Sequence, residues 1–305
     1  MKPLAAPIDV VVYAIPFFIL LIVLEMLWAA RRRPEAYEPA DTLTSLALGL
    51  GSTIAGALTA GLVYAGALWL WDHRVATLPW TWWAWIACFL LDDFNYYWAH
   101  RTGHRVRWFW ASHVNHHSSQ HYNLSTALRQ TWTGFVALSF IFRIWPALIG
   151  FPPAMIVTVG AVNLVYQFWI HTEAVGRFPR WFEAVFNTPS HHRVHHATNP
   201  LYLDRNYAGV LIVWDRLFGS FQPELGEDAP GVGRIRYGIV RQLGSFHLLH
   251  AAFHEWAAML GDFGAAPFRH KLSYLVRAPG WSHDASRETS DQIRARWQAR
   301  QDEQA

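Results

Sequence analysis

Histidine is the residue type whose number and spacing in this chain call for a chemical explanation. There are 17 in 305 residues, with six in residues 100–121 and four in 191–196. An even spread would place about 1.2 and about 0.3 there. His100-Arg-Thr-Gly-His104 has i, i+4 spacing, which puts both rings on one helix face. His113-Val-Asn-His116-His117 combines i+3 and i+4, and His192-Arg-Val-His195-His196 repeats that pattern directly after His191. Eight imidazoles from three helical segments are too many for one tetrahedral zinc site and divide into two metal sites of about four ligands each. His171 and His191 are candidates for a ninth and a tenth ligand. Imidazole suits Zn, Cu, Fe and Ni, so ligand type alone does not choose the metal.

Ligating histidines need partners that fix the ring tautomer. Asp92 and Asp93 lie about two helical turns before His100, so one of them can face the same way. Gln167 stands four residues before His171, and Glu173 two after it. Asn115, Asn187, Asp204 and Asn206 are further candidates. His247, His250 and His254 read instead as the polar stripe of an amphipathic helix. His73 lies far from the clusters.

The elements that must position these residues are apolar. Apolar types make up 52% of the chain and charged types 15%, with 18 tryptophans, which excludes disorder. The one cysteine, Cys88, excludes an internal disulfide framework and a cysteine-based metal cage. A net charge of +3 gives no ground for a nucleic-acid partner. Residues 10–30 are apolar except for Glu25 and are long enough to cross a bilayer. Arg31-Arg32-Arg33 follow where a signal peptide would carry a small-residue cleavage site. Residues 42–71 hold no charge, and Gly49, Gly51, Gly56, Gly61 and Gly66 thread them, as where membrane helices approach closely. Residues 80–98, 133–149 and 153–170 are three further apolar runs, the last two separated by Gly150-Phe151-Pro152-Pro153.

The fold expected is all-α, a polytopic membrane protein with four to five transmembrane or re-entrant helices and a cytosolic helical cap carrying a histidine-rich dimetal site. The basic residues set its orientation. Arg31 to Arg33 put the end of the first helix in the cytosol, and Arg101, Arg105 and Arg107 put His100 there too. A 133–170 hairpin that enters and leaves on one face keeps His171 and the rest on that side. The membrane is the cytoplasmic one in a bacterium and the endoplasmic reticulum in a eukaryote. Residues 1–84 read as N-terminal transmembrane helices, 85–222 as the catalytic domain, and 223–305 as cytosolic helices and a polar tail.

The order of boxes, HxxxH, HxxHH and a distant HxxHH among membrane helices, resembles the fatty acid hydroxylase/sterol desaturase superfamily of non-haem di-iron membrane enzymes. Several stretches are similar to its alkylglycerol monooxygenase branch: Asp92-Asp93-Phe-Asn-Tyr-Tyr-Trp-Ala-His100-Arg101, residues 113–130, Tyr166 to Glu173, Asn187 to His196, and Asp204 to Gly219. One departure is Arg105, where the animal alkylglycerol enzyme carries an acidic residue. The resemblance implies two Fe ions that activate O2 to hydroxylate a lipid alkyl or acyl chain, with alkylglycerol ether cleavage as one activity. It implies electrons from a separate donor, either tetrahydrobiopterin or a ferredoxin- or cytochrome-type partner. Under it, Trp132, Phe168, Trp169 and Tyr207, with Phe94 and Trp98, are candidates to line the lipid slot, and Arg129 to hold a head group or a reductant carboxylate. A sterol or lipid desaturase of the same superfamily is the alternative reading. A metal transporter is disfavoured because its ligands would sit mid-bundle. A zinc hydrolase is disfavoured because no HExxH is present.

Overall fold

The computed structural model describes residues 10–303. Among these residues the secondary structure is helical, with only two isolated β-bridges, Phe186 to Leu211 and Ala197 to Tyr237. Eight helices matter for the site. They are α1 Val10–Arg32, α2 Pro39–Asp72, α3 Trp82–Arg105, α4 Arg107–His117, α5 Pro153–Trp169, α6 Pro189–His196, α7 Leu248–Ala265 and α8 Ser290–Asp302.

Two of the five apolar runs, α1 and α2, form helices long and apolar enough to cross a membrane. Phe17, Leu24, Leu58 and Leu62 on them are exposed. Apolar surface of that extent needs lipid or protein to cover it. α1 stops at Arg33 and Pro34, and α2 restarts with Pro39 in its first turn and the Glu38 carboxylate accepting from Asp41 N at 2.7 Å. Glu25, the one charge in α1, is buried. It accepts from Tyr37 Oη at 2.6 Å, from Leu124 N at 2.7 Å and from the Thr172 hydroxyl, tying the end of α1 to the loops around the site.

The run 133–149 does not form the expected continuous helix. It is a series of turns ending in two four-residue helices, Ile141–Ile144 and Pro146–Ile149. It still reaches the end of the bundle opposite the histidines, where Val75 N and Leu78 N donate to Leu148 O and Gly150 O at 2.9 Å each. Gly150 has φ +128 and its Cβ position is 2.3 Å from Ala76 O, so no other residue fits this tip. α3 and α5 pack side by side through Ala84, Cys88, Met155 and Val159.

The glycines of α2 do not all serve close packing. Gly51 has a Cβ position 2.3 Å from the Trp132 ring, and Gly49 one 2.6 Å from Leu128 O, whereas Gly56 and Gly61 have nothing within 4 Å. Gly51→Ala is therefore expected to cost about 1–3 kcal/mol through overpacking. Gly56→Ala should leave the melting temperature in detergent unchanged or slightly raised. Equal melting temperatures for the two variants would contradict this packing.

At the histidine end, extended Val106 (φ −126, ψ 119) breaks the chain between α3 and α4 and folds α4 back beside α3. Gly103 then stands opposite His113. α7 covers α4 from outside, with Trp256 edge-on to Trp108 at 5.0 Å, so it packs on the helices below it. Its His247 accepts from His250 N at 3.4 Å as a helix cap. The charged tail forms α8, which docks through Arg294 to Leu203 O at 2.6 Å and an ion pair between Asp291 and Arg105.

Candidate metal centre

Nine histidine rings converge in two buried groups. His100, His104, His113, His117 and His195 form the first, and His116, His171, His192 and His196 the second. Within each group the possible ligand atoms all lie within 4.8 Å of one another. In the first, Nε2–Nε2 separations are 3.0 Å for His100–His113, 3.1 Å for His113–His117 and 3.2 Å for His117–His195. In the second they are 3.1 Å for His116–His171, 2.9 Å for His171–His192 and 3.2 Å for His192–His196. The two groups adjoin, with the His117 and His196 rings stacked at 4.3 Å.

The arrangement divides each HxxHH box between the groups. His113 and His117 face the first group and His116 the second, while His192 and His196 face the second and His195 the first. The expected four-and-four division is thus five-and-four, with His171 completing the second group. His191 lies outside both. Its Nε2 is 4.0 Å from Glu183 Oε2 and its ring meets Phe221.

The tautomers are dictated from outside the groups. Nδ1 of His100, His195 and His171 faces the carbonyls of Tyr207, Arg205 and Gln167 at 2.8, 2.9 and 2.8 Å. His104 Nδ1 faces the Asp204 carboxylate at 3.3 Å, and its Nε2 is buried without a partner. A carbonyl or carboxylate only accepts, so Nδ1 carries the proton and Nε2 presents a bare lone pair. Burial pushes His100, His113, His116, His117, His192, His195 and His196 well below the usual imidazole range, and neighbouring imidazoles add to it. Burial pushes His171 down to about 4. Neutral rings aiming several lone pairs at one point repel one another unless a cation sits between them. Ligand nitrogens about 2.0–2.1 Å from a metal fit these separations. The donor set therefore fits two metal ions.

Residues 85–220 match the family model described as Fatty acid hydroxylase. The chain is 39% identical over 279 residues to the alkylglycerol monooxygenase of Xenopus tropicalis, and 39% identical over 278 residues to that of Homo sapiens. Each alignment covers 90% of this chain and 60% of the relative. An ornithine lipid hydroxylase of Rhizobium tropici is 27% identical over 157 residues, which is 50% of this chain and 47% of that one. The chain spans about 60% of the length of these two alkylglycerol monooxygenases. No solved structure matches it.

The polar residues around the rings act mostly through backbone. Asp93 holds no ring. It accepts from Val210 N at 2.8 Å, Leu211 N at 3.0 Å, Trp214 Nε1 at 3.0 Å and Asn163 Nδ2 at 3.1 Å, and so pins the 210–214 turn. Asp92 meets Asn163 at 3.1 Å. Asp215, which spacing arguments did not single out, accepts from Tyr207 N and Ala208 N at 2.8 Å each and from Ser220 Oγ at 2.7 Å. Burial holds its carboxyl up to about 6. These bonds aim the Tyr207 carbonyl at His100. Gln167 serves His171 through its carbonyl. Glu173 pairs with Arg33 at 3.0 Å and Tyr237 at 3.1 Å, away from the rings. Asn187 bonds Ala208 O at 2.7 Å, and Asn206 bonds His191 O at 3.0 Å and Gln222 O at 2.8 Å. The Asn115 side chain is buried without a partner, and its carbonyl accepts from Arg129.

Among the described residues only Asp204 touches a cluster ring with a side-chain carboxylate. Its left-handed backbone, φ +54, is one that asparagine also adopts. Asp204→Asn should therefore preserve the loop and weaken metal retention about 10–100-fold. Chelator competition on the purified protein checks this, and unchanged retention would remove Asp204 from the site.

A cavity of about 760 Å³ opens onto both groups. His100, His113, His116 and His171 line it together with Phe18, Leu50, Val63, Phe109 and Phe168. Phe168 is the only aromatic on the cavity wall among those expected to line a lipid slot. Trp132 donates to Leu48 O at 2.9 Å, Trp169 packs on Phe178, Phe94 and Trp98 pack with Phe218, and Tyr207 is buried beside His104. Arg129 does not face the cavity. It is 1% exposed, and its Nε and Nη1 bond Asn115 O at 2.9 Å, Ser118 Oγ at 3.0 Å, Ser45 Oγ at 3.2 Å and Asp41 Oδ1 at 3.3 Å, so it is buried against α2 and α4 rather than turned to a head group.

Proposed function

We propose that this chain is a multi-pass membrane oxygenase whose histidine groups hold two irons, and that it hydroxylates the alkyl or acyl chain of a lipid, an alkylglycerol ether among the candidates. The observation that carries this reading is the cavity. It runs from four cluster rings to the apolar faces of α1 and α2, so a hydrocarbon chain can lie against the metals while its tail stays among membrane helices. The relatives are named as lipid hydroxylases and alkylglycerol monooxygenases, which favours hydroxylation over desaturation.

Iron bound at the rings would supply the O2 activation that no side chain can. His100, His104, His171 and His195 would bind it through Nε2, held by the contacts at Nδ1. The buried walls exclude water and hold the chain close to the rings. Hydroxylation consumes one O2, two electrons and two protons, and releases water. Hydroxylation of a carbon bearing an ether oxygen gives a hemiacetal, which separates into an aldehyde and an alcohol. In this reading residues 1–84 supply lipid-facing helices, 85–222 the catalytic domain and 223–305 flanking helices. The histidine end faces the cytosol, where a separate donor delivers electrons.

The test is metal content of protein purified with iron supplied, followed by O2-dependent turnover of alkylglycerols with reduced pterin, ferredoxin or cytochrome donors. About two irons per chain and an oxidised lipid product are expected. A single metal per chain, or iron-loaded protein inert toward every lipid with each donor, overturns the reading.

A further inference from the structure

A cation lines the same cavity away from the histidines. Arg143, in the short helix Ile141–Ile144, faces α3 and α5 at membrane depth. A Cβ on Gly160 would stand 3.5 Å from both its Nη1 and Asp92 Oδ1. Tyr96, on the wall between Asp92 and the site, has its ring 5.3 Å from His100. Among the described residues neither the guanidinium nor the Tyr96 hydroxyl has a hydrogen-bond partner, and no carboxylate comes within ion-pair distance of Arg143. An ionisable side chain at this depth is expensive and is kept where it serves a ligand or a pathway.

We propose that Tyr96 and Arg143 form a polar subsite for the uncharged, oxygen-bearing head of a single-chain lipid, a glycerol ether or similar polyol, and this rests on the reading of the cavity as the substrate chamber. Both groups offer donors to ether and hydroxyl oxygens. Asp92 Oδ1 and Arg143 Nη1 both stand 3.5 Å from the Gly160 Cβ position, so a carboxylate head would crowd a second acid beside Asp92, whereas an uncharged head brings no charge into this low-dielectric wall. The rise of α3 sets the distance. Tyr96 lies about 6 Å and Asp92 about 12 Å along the axis from His100. A head held there places the first chain carbons near the rings. The opposite wall, with Val11, Ile15, Phe18, Leu50 and Val63, is apolar and takes the chain.

The test is equilibrium binding to the full-length, metal-loaded protein in detergent, without O2 or reductant. The ligands are 1-O-hexadecylglycerol, hexadecane and hexadecanoate, each displacing a fluorescent alkyl probe. Tyr96→Phe and Arg143→Gln are expected to weaken the glyceryl ether about tenfold or more, to leave hexadecane within about twofold, and to leave bound metal unchanged. Equal weakening of glyceryl ether and hexadecane, or no weakening, overturns the subsite. Hexadecanoate binding more tightly than the glyceryl ether, and losing that binding in Arg143→Gln, overturns the uncharged head. Should Arg143→Gln fail to fold, Tyr96→Phe decides, since it removes one oxygen and keeps the ring against His100. No turnover is measured, so a negative result here leaves the oxygenase reading standing, and a failure of that reading leaves the binding result valid.

Discussion

His195→Ala is expected to abolish lipid oxidation, by more than about a hundredfold, and to lower bound metal toward one ion per chain. His195 belongs to the first group and is the single ring by which the last histidine box reaches it. Its Nδ1 is held by Arg205 O, so truncation deletes a fixed lone pair as well as a ring. His116→Ala should have the matching effect on the second group, where His116 is the one ring contributed by the middle box. His247→Ala is the control. That ring caps α7 on the exposed surface and should change neither metal nor activity. Metal analysis of the three proteins, with the second metal titrated back, reads the result. Full activity in either the His195 or the His116 variant would overturn the two-group assignment.

Arg129→Met is expected to cost about 3–5 kcal/mol of stability, the loss that follows when one partner of a buried ion pair is left alone. The deserted partner is Asp41 at the start of α2, itself buried. The lost bonds to Asn115 O and Ser118 Oγ would free the end of α4, where His116 and His117 sit. A combined Asp41→Leu/Arg129→Met variant should recover a large part of the loss, because neither charge is then buried unpaired. Thermal unfolding in detergent separates the outcomes. A single variant as stable as the parent, with reduced affinity for lipid alone, would return Arg129 to the role of head-group ligand.

Residues close together in sequence declared themselves most clearly. The i, i+3 and i+4 spacings put His113, His116 and His117 on one side of a helix before any tertiary contact is considered, and the same holds for His192, His195 and His196. Tautomer partners were legible only in part. Asp204 reaches His104, but Asp93 spends its hydrogen bonds on the 210–214 turn and on Asn163, while Asn187 and Asn206 spend theirs on backbone, and the decisive groups at His100 and His195 are carbonyls. A carbonyl is present at every position and leaves no mark in composition. Asp215 went unnoticed because its partners, Tyr207 N and Ala208 N, are likewise invisible to spacing. The run 133–149 misled because hydropathy measures burial in apolar surroundings, which a chain of turns packed between helices satisfies as well as one helix does.

Helix period and hydrophobic length are local properties, so the order of residues alone is enough to place imidazoles at helical spacing between apolar runs of membrane length. It takes the packed fold to make neighbouring histidines part company, His116 from His117 and His195 from His196, into different groups. Residues adjacent on a helix point about 100° apart, and which ring meets which depends on how α3, α4, α5 and α6 pack. The same packing turned Arg129 inward to Asp41 and left Arg143 and Tyr96 on the cavity wall. Those choices are made by contacts between residues far apart in the chain, which no local pattern encodes.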